Sequence, residues 1–408
     1  MRRKVWLFAV VLAACGAAHA QWEMESSGTT ADLRGIDNVG SGVAWASGTN
    51  GTVLRTEDGG YLWQACTVPP GAEHLDFRGV QAFDANTAIV MSSGKGDLSR
   101  LYKTTDGCHT WKLVFTNPDK DGFWDAVVAR VVAAESGDVC GAGSKVILGT
   151  IFGDPAAHKS NQWDTTTKPS FYLANFEAGI TCSNDKLSPS ASAIFAIPGE
   201  TAFAASNSVL ARLDPFSVYW MAVGRRLIQY SVGSTRPSHL FAESFCDIGI
   251  PFGRSSASAG VFSLAIRPGS IGPPKATKIG GFDWKTPSCQ KADMVVVGGD
   301  YAAVNDRQDT AAFTGGSSKF SLAETPPHGY RSAVAYDVAT KTWITVGPNG
   351  TDISTDDGKN WRALHPDLTL HEAPDADRDW NALSLPFVVG PHGRIGKLRA
   401  GVLSAAGK

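Results

Sequence analysis

Three eight-residue segments of the sequence share one pattern, in which an Asp stands five positions before a Trp. Residues 56–63 and 354–361 read Ser/Thr-x-Asp-x-Gly-x-x-Trp, and residues 104–111 differ only in having the Gly one position earlier. The Asp carboxylate can accept backbone N–H groups across a turn, the Gly supplies a positive φ, and the Trp opens the outgoing strand. Short apolar segments flank each octet, so each one predicts a β-hairpin.

We therefore assign a structural rather than a catalytic role to the side chains that define the pattern. These residues are Thr56, Asp58, Gly60, Trp63, Thr104, Asp106, Trp111, Ser354, Asp356, Gly358 and Trp361.

A second repeated segment marks the first strand of each unit. It consists of a large apolar residue, a polar residue, a small residue and further apolar residues, and it begins at residues 33, 77, 124, 330 and 380, with a looser match at 262. The interval from 124 to 262 is long enough for two units, so we infer one more first strand near residues 201–205. This spacing predicts an all-β chain with seven four-stranded antiparallel units, although eight units stay open.

The two ends of the chain predict how the ring closes. The last unit supplies three strands between residue 380 and residue 399, after which the sequence nearly ends. Residues 22–26, Trp-Glu-Met-Glu-Ser, resemble the Trp-led fourth strand of the other units. We expect this segment to pair into the last unit, because a closed ring leaves no sheet edge unprotected.

With these octets and first strands, the sequence resembles the Asp-box (BNR) β-propellers, and within them the photosystem II stability/assembly-factor-like family. The resemblance spans nearly the whole mature chain and is thin between about residues 145 and 245. It implies a single seven-bladed β-propeller over residues 21–408 that acts as an assembly or stability factor and holds a client protein.

The N-terminus has the features of a secretory leader. Basic residues 2–4 precede an apolar stretch, and Ala18-His19-Ala20 fits a cleavage site that would remove residues 1–20. The alternative is a lipoprotein signal, Leu12-Ala13-Ala14-Cys15, which would anchor the chain to the outer membrane through Cys15. No later segment has the roughly 20 apolar residues that a membrane span requires. We expect an exported monomer, periplasmic or extracellular.

The cysteines and the net charge argue against a zinc site and against nucleic-acid binding. Six cysteines follow Cys15, none of them in a Cys-x-x-Cys pair, so disulfides are favoured over a zinc site. The unit register places Cys66 and Cys108 on neighbouring blades as a possible disulfide, with two free thiols as the alternative. The formal net charge of −2 argues against nucleic-acid binding through bulk positive charge.

Polar residues at equivalent positions of the first strands are the candidate binding residues. We expect them at one mouth of the central channel, where three arginines would form a positive pocket for an acidic group or a peptide carboxylate. The alternative is that they only bond neighbouring strands across the channel. The candidates are Arg34, Arg78, Asp125, Arg331 and Asn381, with Asp300 and Tyr301 at the rim.

No catalytic, metal or cofactor motif accompanies these residues. The sequence lacks HExxH, GxSxG, Walker and dinucleotide fingerprints, so we expect no cofactor and no metal site. The functional expectation is a non-catalytic scaffold for an envelope protein client, with a small anionic ligand as another possibility. The alternative from a different class is a sialidase-like glycoside hydrolase, which would require two or more carboxylates to meet the arginines in the channel.

Overall fold

The computed structural model describes residues 21–156, 169–189, 194–213, 218–232, 243–254, 256–270, 289, 291–366 and 372–406. The predicted leader, residues 1–20, and with it Cys15, lie outside the described residues. How the N-terminus is processed therefore stays a prediction.

The strands form seven antiparallel sheets, or blades, each built on four strands; the order is sequential in six blades, one of which has an additional short strand, and the seventh takes its outermost strand from the N-terminus. Blade one contains β2 (Leu33–Gly40), β3 (Val43–Gly48), β4 (Val53–Thr56) and β5 (Gln64–Ala65). Blade two contains β6 (Phe77–Ala82), β7 (Ala88–Ser92), β8 (Arg100–Thr104) and β9 (Lys112–Thr116). Blade three contains β10 (Trp124–Ala133), β11 (Lys145–Ala156), β12 (Ser170–Gly179) and β13 (Asp185–Pro189), and β14 (Ile194–Phe195) also pairs with β12.

The remaining blades repeat the same order. Blade four contains β15 (Leu210–Leu213), β16 (Val218–Val223), β17 (Arg226–Val232) and β18 (Glu243–Gly249). Blade five contains β19 (Ala259–Ile266), β20 (Met294–Asp300), β21 (Ala311–Phe313) and β22 (Ser321–Leu322). Blade six contains β23 (Ala333–Asp337), β24 (Thr342–Gly347), β25 (Gly350–Ser354) and β26 (Arg362–Leu364).

Blade seven joins the two ends of the chain. Its strands are β27 (Ala382–Ser384), β28 (Phe387–Val389), β29 (Ile395–Leu398) and, as the outermost strand, β1 (Trp22–Glu25). β1 pairs antiparallel with β29, with Trp22 opposite Leu398. The fold is a seven-bladed β-propeller, as the repeats predict, and the N-terminal strand closes the ring.

The second strand of most blades is buried along nearly its whole length and is mostly apolar. β7 reads AIVMS, β16 reads VYWMAV and β24 reads TWITVG, and every residue of these strands is buried. A strand that is covered on both faces reads as a continuous run of apolar and β-branched residues, because each face packs against a neighbouring blade. The hydrophobic core accordingly lies between blades.

One first strand begins later than the sequence spacing predicts. Residues 201–205, expected as the first strand of blade four, form no strand, and β15 begins at Leu210.

Two minor helical segments complete the chain. A 3-10 turn spans Gly96–Leu98, and a short helix, α1, spans Val402–Ala406. In the part of the chain that the structure describes, no helix is long and apolar enough to cross a membrane.

Candidate functional site

The three octets form turns with the same hydrogen bonds. In the first, the hydroxyl of Thr56 donates to Asp58 Oδ1 at 2.8 Å, and the backbone N–H of Leu62 donates to the same oxygen at 3.0 Å. The N–H of Gly60 donates to Thr56 Oγ1 at 3.0 Å. The octets at 104–111 and 354–361 repeat these bonds, with Cys108 at a φ of 63° where the others have glycine.

These carboxylates are occupied by their own turns. The N–H of Leu62 and the hydroxyl of Thr56 lower the pKa of Asp58. The octet tryptophans pack between blades, and Trp63 meets Phe387 of blade seven with ring centroids 5.6 Å apart. The octets therefore hold strands and neighbouring blades together, and they lie in the turn between the third and fourth strands of a blade.

Three disulfides link segments that the turns bring together. Cys66 and Cys108 join the outer strand of blade one to the octet turn of blade two. Cys246 of blade four is bonded to Cys289, which precedes β20 of blade five, and a third bond joins Cys140 to Cys182 within blade three. Disulfides persist in oxidising compartments, which agrees with an exported protein.

Two of the predicted arginines meet at one end of the central channel. Arg34 and Arg78 stand just after the starts of β2 and β6, and both face Asp76. Arg78 Nε donates to Asp76 Oδ2 at 2.8 Å, while Arg34 Nε lies 3.8 Å from Asp76 Oδ1. Asp32 approaches Arg34 to 3.8 Å from the other side. The arginine side chains stay 31% and 28% exposed, so this charge-balanced group is accessible.

The centre of the ring is crossed by residues 203–208, which we call the channel plug. Its backbone and side chains form hydrogen bonds with four different blades. The carbonyl of Ala204 accepts from Arg78 of blade two, Asn207 bonds Val127 of blade three, Ser208 donates to Ser263 of blade five, and Ser206 donates to the carbonyl of Ser332 in blade six. The plug explains why residues 201–205 form no strand, because a segment that crosses the channel cannot also pair with a neighbouring strand.

An aromatic wall lies beside the arginines. Phe203 stacks on Phe262 with ring centroids 4.0 Å apart, and the Phe262 ring lies nearly perpendicular to those of Tyr301 and Tyr330, with centroids 6.0 Å and 4.8 Å away. Tyr301 is 51% exposed. Burial raises the pKa of Tyr330, and the positive charge of Arg34 opposes that rise.

We call this combined surface the channel mouth. It consists of Arg34, Asp76, Arg78, Phe203, Phe262, Tyr301 and Tyr330.

Asp125 lies beneath the channel mouth rather than on it. Asp125 is 1% exposed. Burial raises its pKa well above the ordinary value; the neighbouring Asp154 adds to this rise and Arg78 opposes it. Asp154 accepts the N–H of Ala202 at 2.9 Å, and burial raises its pKa to about 6. The two carboxyls therefore retain protons to higher pH than an exposed Asp.

The predicted ring of three arginines is wrong at Arg331, which is paired inside its own blade. Its side chain is fully buried and its Nε donates to Asp352 Oδ2 at 2.9 Å, with a second bond from Nη2 to the same carboxylate. Its Nη1 donates to Asn349, and its Nη2 lies 2.9 Å from His328 Nδ1. The guanidinium turns toward the third strand of its own blade, because Asp352 on β25 offers a charged partner there. The mouth is accordingly not a positive pocket.

The three remaining predicted residues, Asn381, Asp300 and Tyr301, do not lie together in one site. Asn381 donates to the carbonyl of Leu33 at 2.8 Å, which ties blade seven to blade one, as the alternative interpretation of these residues expects. Asp300, at the end of β20, lies 3.5 Å from Arg254. Tyr301 alone of this pair contributes to the channel mouth.

Sequence reasoning missed Asp76 and Asp32, although a signal was present. Asp32-Leu33-Arg34 and Asp76-Phe77-Arg78 have the same Asp-x-Arg spacing at the same place in successive blades. The plug carried no comparable signal, because Ala and Ser residues dominate it. Among the described residues, no group of three or more His, Cys, Asp or Glu side chains could hold a metal ion.

The raised pKa values of Asp37 and Asp154 predict that the contribution of these two residues to stability falls as pH rises from about 4 to 7. Asp37 and Asp154 have folded-state pKa values of about 6 against an ordinary 3.8, so the folded chain binds more protons than the unfolded chain in this range. For Asp154→Asn we expect a free energy of unfolding up to about 2 kcal/mol above wild type at pH 7 and little change near pH 4. Urea unfolding at several pH values measures this, and parallel curves for the two proteins would contradict it.

Comparison with known proteins identifies the fold. No known family model matches the sequence, and no curated protein is similar to it. Among solved structures, "YCF48 bound to D1 peptide" has a TM-score of 0.54 at 15% identity and covers 93% of this chain and 97% of its own. YCF48 from Cyanidioschyzon merolae has a TM-score of 0.52 at 17% identity and covers 93% of this chain and 99% of its own. The chain is thus a seven-bladed β-propeller similar in fold to YCF48.

Proposed function

We propose that the protein is an exported, non-catalytic scaffold that holds a client protein at the channel mouth. The observation that carries the proposal is the pairing of two accessible arginines over one carboxylate, Asp76, beside an exposed Tyr301. The likeness in fold to a propeller solved with a bound peptide supports a peptide-binding role.

The geometry favours a client segment with an acidic group next to an apolar or aromatic residue. The Arg34 side chain is 31% exposed and lies 3.8 Å from the carboxylates of both Asp32 and Asp76, beyond hydrogen-bond distance, so it can turn a donor toward an incoming carboxylate. Bonds between guanidinium and carboxylate are among the stronger hydrogen bonds in proteins. Tyr301, which is 51% exposed and packs against Phe262 behind it, offers a ring surface to the neighbouring side chain.

Affinity capture from an envelope extract of the producing organism tests this proposal. We expect wild type to retain a client that Arg34→Glu/Arg78→Glu loses, because the variant puts two carboxylates beside Asp76 and Asp32 and so leaves four like charges at the site. A matched control, Lys341→Glu/Lys359→Glu, makes the same change in net charge. Both lysines are exposed in turns at the opposite end of blade six, and this control should retain the client. Equal capture by all three proteins would place the site elsewhere.

A second candidate function is a sialidase-like glycoside hydrolase. The observation that favours it is that carboxylates do meet the arginines, since Asp76 bridges them and Asp125 lies below with a raised pKa. A general acid must reach the glycosidic oxygen, however, and Asp125 is almost fully buried.

We expect no hydrolysis of a fluorogenic sialoside above the rate of an Asp76→Asn/Asp125→Asn variant. Release of fluorophore by wild type that this variant lacks would instead establish the hydrolase. A small anionic ligand is tested separately by thermal shift, because a ligand that binds only the folded state raises the unfolding temperature.

A further inference from the structure

The first described residue, Gln21, occupies an enclosed position at the closure of the ring. In the chain that still carries residues 1–20, Gln21 is 1% exposed, and its carbonyl accepts the N–H of Arg399 at 3.0 Å. The next N–H, that of Trp22, donates to Glu372 Oε1 at 3.1 Å. Gln21 is thus held where β1 joins blade seven.

The side-chain amide of Gln21 is poorly suited to that position. Its Oε1 and Nε2 are both buried and lack a hydrogen-bond partner among the described residues. A buried amide without partners costs free energy, and a buried charged α-amine at the same residue would cost more. Cleavage after Ala20, which the leader sequence predicts, would place such an amine on Gln21.

We propose that Gln21 is the N-terminal residue of the mature protein and is cyclised to pyroglutamate. The α-amine nitrogen attacks Cδ of the side chain, the bond from Cδ to Nε2 breaks, and Nε2 leaves as ammonia. The reaction needs no oxidant or co-reactant. The resulting lactam carries no charge and has one N–H in place of the ammonium and the NH2 group, so it fits an enclosed site better.

The order of export leaves the N-terminal amine accessible before the ring closes. β1 can pair with β29 only after residues 395–398 have been exported. Until then the N-terminal segment has no strand partner, so its amine is accessible to cyclisation. Ring closure then buries the product.

Mass spectrometry of the exported full-length protein tests the proposal. The purified protein is denatured, its amines are blocked by reductive dimethylation, and it is then digested, so that cyclisation during digestion cannot contribute. We expect the N-terminal peptide to start at residue 21, to lack the dimethyl label and to weigh one ammonia less than the unmodified sequence.

Gln21→Ala is the matched control. Its N-terminal residue cannot cyclise and should carry the label, which shows that cleavage and labelling are efficient. A dimethylated Gln21 in wild type would overturn the proposal, as would an N-terminus at a lipidated Cys15 or at any other residue.

Discussion

Trp22→Ala should lower the free energy of unfolding by about 3–5 kcal/mol, the usual cost of truncating a buried Trp. Trp22 is 1% exposed, and its ring lies 5.9 Å from that of Trp380. Its Nε1 donates to Thr351 Oγ1 at 3.1 Å, so the substitution also leaves that hydroxyl with one fewer bond. The loss falls at the single joint where the two ends of the chain meet.

Glu23→Ala is the control for that substitution. Glu23 lies on the same strand with an exposed side chain, so its replacement should change the free energy of unfolding by less than about 0.5 kcal/mol. Removal of residues 22–26 should be worse than either substitution, because it leaves the edge of β29 unpaired and prone to association. Chemical unfolding measures all three, and equal stability of the Trp22 and Glu23 variants would refute the closure argument.

Asp352→Ala should cost about 3–5 kcal/mol, because it leaves Arg331 as a buried charge without its main partner. Burial lowers the pKa of Arg331, while the bonds to His328 and Arg331 hold the pKa of Asp352 below its ordinary value in spite of burial. Arg331 is fully buried and Asp352 is 1% exposed, so each charge depends on its contacts inside the protein rather than on water.

The double variant Arg331→Met/Asp352→Leu tests whether this buried position requires the two charges. Replacing both charges by apolar side chains removes the desolvation cost together with the attraction, so we expect it to be much less destabilising than Asp352→Ala. Urea unfolding of the two variants gives the comparison. A double variant as unstable as the single one would show that the site requires the charges themselves.

The fold could be predicted where local chemistry repeats. The octets fix hairpins through bonds within eight residues, and the Trp-led segment at Trp22 revealed the closing strand. The spacing failed before β15, because the residues that cross the channel are selected by partners in four other blades and not by a strand period. No local pattern encodes such contacts.

The candidate site was predictable only in part, for a similar reason. Arg34 and Arg78 stand at equivalent positions and behave alike, whereas Arg331 at the same position turns to Asp352. A repeat fixes the backbone position of a residue, but the direction of a long side chain depends on which charged partner is nearest. The octets could be interpreted correctly because their partners lie within the same turn.

Site-specific photo-crosslinking tests the central claim, that a client is held at the channel mouth. A photoreactive amino acid would replace Tyr301, and in a second protein Tyr61, which is 91% exposed in the octet turn at the other end of blade one. After irradiation of cells exporting each protein, we predict a defined crosslinked client with the label at residue 301, and its loss when Arg34→Glu/Arg78→Glu is added. Crosslinks only from residue 61, or none from residue 301, would contradict the account.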